Sequence, residues 1–242
     1  MAPILTLENI SKRFGAVVVA DGIDLALGEG EALGIIGPNG AGKTTLFGIA
    51  TGTVLPDSGR VVFTGADITQ LAPEQRCRLG LARSFQIPQP FAGMTVFENL
   101  VVAAAFGRGK SERDVYADCV ERLEQCGLAA KANRPAGSLT LLDRKRLELA
   151  RALATHPRVL LLDEVAGGLS EHECQALVDL IKNVRATGVS IIWIEHVVHA
   201  LLAAIDRLVV LHEGKFIAQG DPQTVIRDPK VREIYMGIAA DV

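Results

Sequence analysis

Glu31-Ala32-Leu33-Gly34-Ile35-Ile36-Gly37-Pro38-Asn39-Gly40-Ala41-Gly42-Lys43-Thr44-Thr45 is the stretch whose reading decides the fold. It opens with a short apolar run, turns through glycines and continues into residues 44–50 with helical character, giving the order strand, loop, helix. Gly37, four residues, then Gly42-Lys43-Thr44 fit the phosphate-loop pattern. The glycines free backbone N–H groups to wrap an anion, Lys43 compensates β/γ-phosphate charge, and the Thr44 hydroxyl suits Mg²⁺. The candidate phosphate-binding residues are therefore Gly37, Pro38, Asn39, Gly40, Ala41, Gly42, Lys43, Thr44 and Thr45.

A phosphate loop alone leaves kinases, GTPases and many ATPases open, so the second half of the site has to decide. Val159-Leu160-Leu161-Leu162-Asp163-Glu164 is a buried strand ending in two carboxylates. Asp163 can hold Mg²⁺ through water, and Glu164 can orient or deprotonate an attacking water. A second apolar strand, Ser190-Ile191-Ile192-Trp193-Ile194, follows a helix of about Glu171 to Ala186, which is the grammar of a parallel sheet.

Upstream, residues 4–10, Val17 to Val19 and Asp21 to Leu27 read as strands of an antiparallel sheet, joined by strand composition at Gly59 to Phe63. From about Val96 to Leu153 the pattern is helical, broken by Gly107-Arg108-Gly109 and Asn133-Arg134-Pro135-Ala136-Gly137. The tail reads as a hairpin, Leu208 to Leu211 and Lys215 to Ala218, then a short helix after Pro222.

Composition agrees with an α/β protein. Of 242 residues 49% are apolar while Trp and Tyr number three together, so Ala, Val, Leu and Ile must do most of the packing. A net charge of −3 without a basic run disfavours a nucleic-acid partner. Cys77, Cys119, Cys126 and Cys174 lack metal or redox spacing and read as reduced thiols of a cytosolic protein. No segment reaches the ~18 apolar residues of a membrane span, so any service to a membrane is expected from outside the bilayer.

With Lys43, Asp163 and Glu164 in this order, the chain resembles the ABC transporter ATPases along nearly its whole length. The resemblance implies a P-loop NTPase, RecA-like α/β core with an antiparallel β subdomain (residues 1–87 and 156–242) and an inserted α-helical subdomain (residues 88–155). It implies ATP and Mg²⁺ as ligands. Gln86, in Arg83-Ser84-Phe85-Gln86, resembles the glutamine that senses Mg²⁺ and the γ-phosphate and contacts the membrane subunit. His196, after Ile194-Glu195, resembles the γ-phosphate switch histidine, and Phe14 sits where the family stacks an aromatic on adenine. His156, His172, His199 and His212 read as polar loop residues.

Arg83-Ser84-Phe85-Gln86, Met94 to Asn99, Arg146 to Leu153 and the ending Asp228 to Gly237 are most similar to the ATPases of branched-chain amino-acid importers. The implied partners are transmembrane permease subunits, a second ATPase subunit and, indirectly, a substrate-binding protein. The implied location is the inner face of the cell membrane. A GTPase is disfavoured by the lack of an Asn-Lys-x-Asp segment, and a DNA-repair or translation ATPase by the lack of a coiled-coil insertion or tandem cassettes.

The sequence departs from the family at its Leu-Ser-Gly-Gly-Gln signature, which aligns with Leu139-Thr140-Leu141-Leu142-Asp143. Leu141 and Leu142 remove glycines, and Asp143 adds negative charge near a polyphosphate, so a weaker or differently shaped contact is expected, with Arg144-Lys145-Arg146 available to offset the charge. The next interface loop reads Gly167-Gly168-Leu169-Ser170, without the usual Asp or Asn. Because each ATP lies between one subunit's phosphate loop and the other's signature, the expectation is an asymmetric heterodimer whose partner brings an intact signature. The alternative is a regulatory or structural subunit with little hydrolysis.

Overall fold

The computed structural model describes residues 2–236. Gly237, the last residue of the ending quoted above, lies outside the described residues. In chain order the elements begin with β1 (Leu5–Phe14), β2 (Val17–Leu27), β3 (Ala32–Ile36), α1 (Lys43–Thr51), β4 (Ser58–Phe63), β5 (Ala66–Asp67), α2 (Pro73–Leu79) and β6 (Leu81–Ser84). The helical stretch follows as α3 (Val96–Arg108), α4 (Glu112–Gln125) and α5 (Leu141–Ala154). Then come β7 (Val159–Asp163), α6 (Glu171–Ala186), β8 (Ser190–Ile194) and α7 (Val198–Leu202). The described chain ends with β9 (Arg207–His212), β10 (Lys215–Gly220), α8 (Pro222–Arg227) and α9 (Pro229–Met236).

Two sheets organise these elements. The antiparallel one has the order β2-β1-β4-β5, and the six-stranded one β10-β9-β3-β8-β7-β6. In the second sheet every pairing is parallel except the β9–β10 hairpin. β3, β7 and β8 are buried along their whole length, as parallel strands covered on both faces must be.

Alternate residues of these strands feed two separate cores, since successive side chains point to opposite faces. Leu33, Ile35, Leu161, Ile192 and Ile194 pack with Leu46, Phe47 and Ile49 of α1 and with Leu5, Leu7 and Phe63 of the antiparallel sheet. Ile36, Leu160, Leu162, Ile191 and Trp193 pack with Leu100, Leu147, Leu153, Leu177 and Val184 of the helices. The parallel sheet is thus a wall between α1 and the helical layer.

The expected strand and helix series is present, and the structure adds elements not read from sequence. β6 was missed because its Leu81-Ala82-Arg83-Ser84 is short, edge-placed and half polar. The reading of the minor histidines as loop residues needs correction. Only His156 lies in a loop, whereas His172 is in α6, His199 in α7 and His212 ends β9.

α1 must hold its position under the phosphate loop, and a buried arginine anchors its far end. Arg76 is fully buried and donates to the carbonyls of Ile49 and Ala50 in the last turn of α1, and to those of Thr69 and Leu71. Helix carbonyls lack partners within the last turn, so this guanidinium satisfies acceptors that burial would otherwise orphan. Arg76→Met is expected to cost about 3 kcal/mol of stability. For a chain of this size that is a melting temperature lower by about 6–12 °C, measurable by calorimetry.

Candidate functional site

The loop after β3 is shaped by what its glycines face. A Cβ on Gly37 would lie 2.1 Å from the Leu211 carbonyl oxygen, and one on Gly42 would lie 2.2 Å from that of Val19. Gly42 also has φ +105, a conformation that side chains resist. The loop is therefore threaded between β9 and β2 with no room for a side chain at either position. Gly42 caps α1 with no side-chain bond, and α1 has no acidic residue in its first turn, so its leading N–H groups remain available to an anion.

Lys43 is buried, and its Nζ donates to the carbonyls of Gly37 (2.6 Å) and Pro38 (3.0 Å). Burial pushes the ammonium pKa below its usual range, opposed by the charges of Glu164 and Asp163. The side chain is thus folded back over the loop.

The carboxyl edge of the parallel sheet brings the remaining groups to the same place. Glu164 directly follows β7, with a left-handed backbone at φ +47 and its N–H donating to the Ile194 carbonyl at 2.9 Å. Its Oε2 accepts from Gln86 Nε2 at 2.6 Å and lies 3.6 Å from His196 Nδ1. One open cleft of about 700 Å³ is lined by Asn39, Gly40, Ala41, Gly42, Lys43, Thr44, Thr45, Gln86, Glu164 and His196, with Val17 and Val19 of β2.

Not every expected residue lines that cleft. Gly37 and Pro38 serve it through the carbonyls that hold Lys43. Phe14 is half exposed at the end of β1 with Lys12 Nζ 5.3 Å from its ring centre, outside the lining. Asp163 is buried beneath it. Its Oδ2 accepts from Arg83 at 2.6 Å, while its Oδ1 is buried without a hydrogen bond. The Arg83 guanidinium lies 5.6 Å from the Phe47 ring centre and 5.2 Å from that of Phe85, so it joins α1, the Gln86 segment and Asp163.

The signature-aligned segment needs a correction. Asp143 does not face outward: it is buried, paired with Lys131, and its Oδ2 accepts from the Thr140 hydroxyl at 3.0 Å. Thr140 in turn caps α5 by accepting from the Asp143 N–H. The carboxylate is thus neutralised by Lys131 rather than by Arg144, Lys145 or Arg146. Arg144 instead donates to the Gly137 carbonyl, and Lys145 is buried, reaching the Glu164 carbonyl at 3.4 Å. Leu141 is exposed and sits against Gly168.

Sequence reasoning missed Arg83, Lys145 and Glu195 as site residues. Glu195 was visible only as an acidic residue ending an apolar strand, yet its carboxylate is wholly buried beside His196. Nothing local distinguishes it from a solvated Glu.

A parallel sheet, a phosphate loop entering α1 and a carboxylate at the end of a neighbouring strand define a P-loop nucleotide-binding fold. The chain matches the ABC transporter family over residues 20–167 and a C-terminal family described as branched-chain amino acid ATP-binding cassette transporter over residues 217–241. It is similar to the high-affinity branched-chain amino acid transport ATP-binding protein BraF of Pseudomonas aeruginosa, 36% identical over 98% of this chain and 99% of the relative. LivG of Escherichia coli, of the same description, is 34% identical with the same coverage. The lipopolysaccharide export system ATP-binding protein LptB of Acidithiobacillus ferridurans is also 34% identical, over 98% of each chain. Among solved structures, a nucleotide-free ATP-binding cassette from an ABC transporter superposes with TM-score 0.90 at 34% identity, covering 98% and 100% of the two chains. An ADP-bound cassette of an ABC transporter superposes with TM-score 0.90 at 33% identity and the same coverage. The chain belongs to the ABC transporter family of ATP-binding subunits.

Among the described residues no helix is long and apolar enough to cross a membrane. A methyl group at position 42 would collide with the Val19 carbonyl, so Gly42→Ala is expected to weaken binding of a fluorescent ATP analogue at least tenfold, a loss of about 1.4 kcal/mol. Titration of both proteins checks this.

Proposed function

We propose that this chain hydrolyses ATP with Mg²⁺ on its own phosphate loop and drives a branched-chain amino-acid importer from the inner face of the membrane. The supporting observation is the convergence of Lys43, Thr44, Gln86, Glu164 and His196 on one cleft, with Gln86 bonded to Glu164 at 2.6 Å. Thr44, Asp163 and Gln86 are the residues that would hold Mg²⁺, and the orphaned, buried Asp163 Oδ1 suits such a role. Held there, Mg²⁺ would supply positive charge against the outer phosphates.

In this reading Lys43 exchanges the Gly37 and Pro38 carbonyls for phosphate oxygens, and the leading amides of α1 receive the inner phosphates. Glu164 takes a proton from a water whose oxygen attacks the γ-phosphorus, the bond to the ADP oxygen breaks, and His196 steadies the γ-phosphate. Gln86 has to release Glu164 first, which would tie hydrolysis to the segment carrying Gln86. Phe14 would serve adenine only if β1 and bound nucleotide approach each other. Exposed Phe85, Ile87 and Phe91 beside Gln86 form the apolar surface on which permease subunits would dock.

The cargo assignment rests on relatives and on the C-terminal family match, since the 34% identity shared with a lipopolysaccharide exporter subunit carries no cargo information by itself. The second ATPase subunit would be a different chain, because Leu141 and Leu142 stand where signature glycines would approach the partner's nucleotide. Glu164→Gln in the assembled transporter is expected to retain ATP binding and lose about 10²–10⁴-fold in turnover. EDTA should abolish turnover of both forms. Vigorous ATPase activity of this chain alone, lost in Glu164→Gln, would overturn the need for a different partner.

A further inference from the structure

Outside the residues already assigned, the most completely built polar cluster surrounds Glu195. Its carboxylate has no solvent exposure. Oε2 accepts from the Ala166 N–H at 2.9 Å and from the Trp193 indole N–H at 3.3 Å. Oε1 accepts from the His196 N–H at 3.2 Å and the Val197 N–H at 3.5 Å, and lies 3.4 Å from His196 Nδ1. A carboxylate offers about four acceptor positions, so four donors occupy it fully.

These donors come from two different strand ends. Ala166 belongs to the segment that follows Glu164 after β7, and His196 and Val197 follow β8. The Glu195 N–H in addition donates to the Ile35 carbonyl of β3 at 3.4 Å. The nearby cation is Lys145 of α5, buried, whose Nζ reaches the Glu164 carbonyl at 3.4 Å. Burial pushes the Lys145 ammonium pKa down, while the charges of Glu195 and then Glu164 hold it up. Removing a carboxylate from water is costly, and here it is retained at a place where four backbone and indole donors need orienting.

We infer that Glu195 is a positioning residue that fastens the segment carrying Glu164 to the segment carrying His196, so that the two move as one body. Lys145 extends the same unit to α5, whose first turn begins at Leu141. This inference rests on the reading that Glu164 and His196 act in hydrolysis, but its physical content is the fastening itself.

Glu195→Gln tests it sharply because the side chain keeps its volume while one acceptor oxygen becomes a donor group facing two N–H donors. In the full chain, amide exchange at Ala166, His196 and Val197 is expected to accelerate at least tenfold, with residues 39–45 unchanged. Trp193 is the sole tryptophan, so its emission maximum should also shift. In the assembled transporter kcat should fall at least tenfold with KM for MgATP within threefold.

Wild-type exchange and emission in Glu195→Gln would overturn the inference. So would loss of exchange protection spread evenly over the chain, which marks a structural role alone. Should Glu195→Gln fail to fold, Glu195→Asp, which keeps both acceptors but withdraws them by one methylene, is expected to give the same local acceleration. Wild-type behaviour in Glu195→Asp would then overturn it. If the wild-type transporter shows no Glu164-dependent turnover, the hydrolysis reading fails, and the exchange and emission readouts decide the fastening independently.

Discussion

Everything at this site depends on four parallel strands ending along one edge. β3, β8, β7 and β6 are consecutive neighbours, with Ile35 opposite Ile194, Ile194 opposite Asp163, and Leu162 opposite Ser84. Each strand therefore sends its following segment to the same crevice: residues 39–45 after β3, His196 after β8, Glu164 after β7, Gln86 after β6. A crevice at the carboxyl ends of parallel strands is where α/β folds place their ligands. The register is held because β3, β7 and β8 are buried on both faces, so a slip by one residue would exchange the contents of two different cores.

The molecule holds several carboxylates out of water. Arg83 with Asp163, Lys131 with Asp143, and the Glu195 cluster each lie where a hydrophobic residue would cost less to bury. Their shared property is that they join separate segments. Arg83 joins the approach to Gln86 to the end of β7, Lys131 joins the connection after α4 to the start of α5, and Glu195 joins the segment after β7 to the segment after β8. Paired charges of this kind hold register and orientation, which apolar contacts, being non-directional, do not.

The same reasoning changes the meaning of the altered signature segment. Asp143 is consumed inside its own chain as part of a helix cap, so repulsion of a polyphosphate is not its effect. What remains outward is the apolar side chain of Leu141 beside Gly168. The difference from a glycine-containing segment is thus one of shape and lost backbone freedom rather than of charge.

Local pattern was enough for β3, the glycine loop, α1, β7, α6, β8 and the final hairpin, because each combines an uninterrupted apolar or periodic run with turn residues at its end. Motif order was enough to nominate Lys43, Glu164, Gln86 and His196. The edge strand β6 escaped because Arg83 and Ser84 look polar, and their burial follows only from β7 alongside. Arg76, Lys145, Asp143 and Glu195 were illegible for the same reason: whether a charged side chain meets water or a ring of donors depends on segments distant in sequence. The sequence by itself determined where the phosphate-loop pattern lies and which strands are buried, since those rest on local composition. Only the tertiary structure decided which charges are paired inside, because burial and partnership are set by strand order and register, which adjacent residues do not encode.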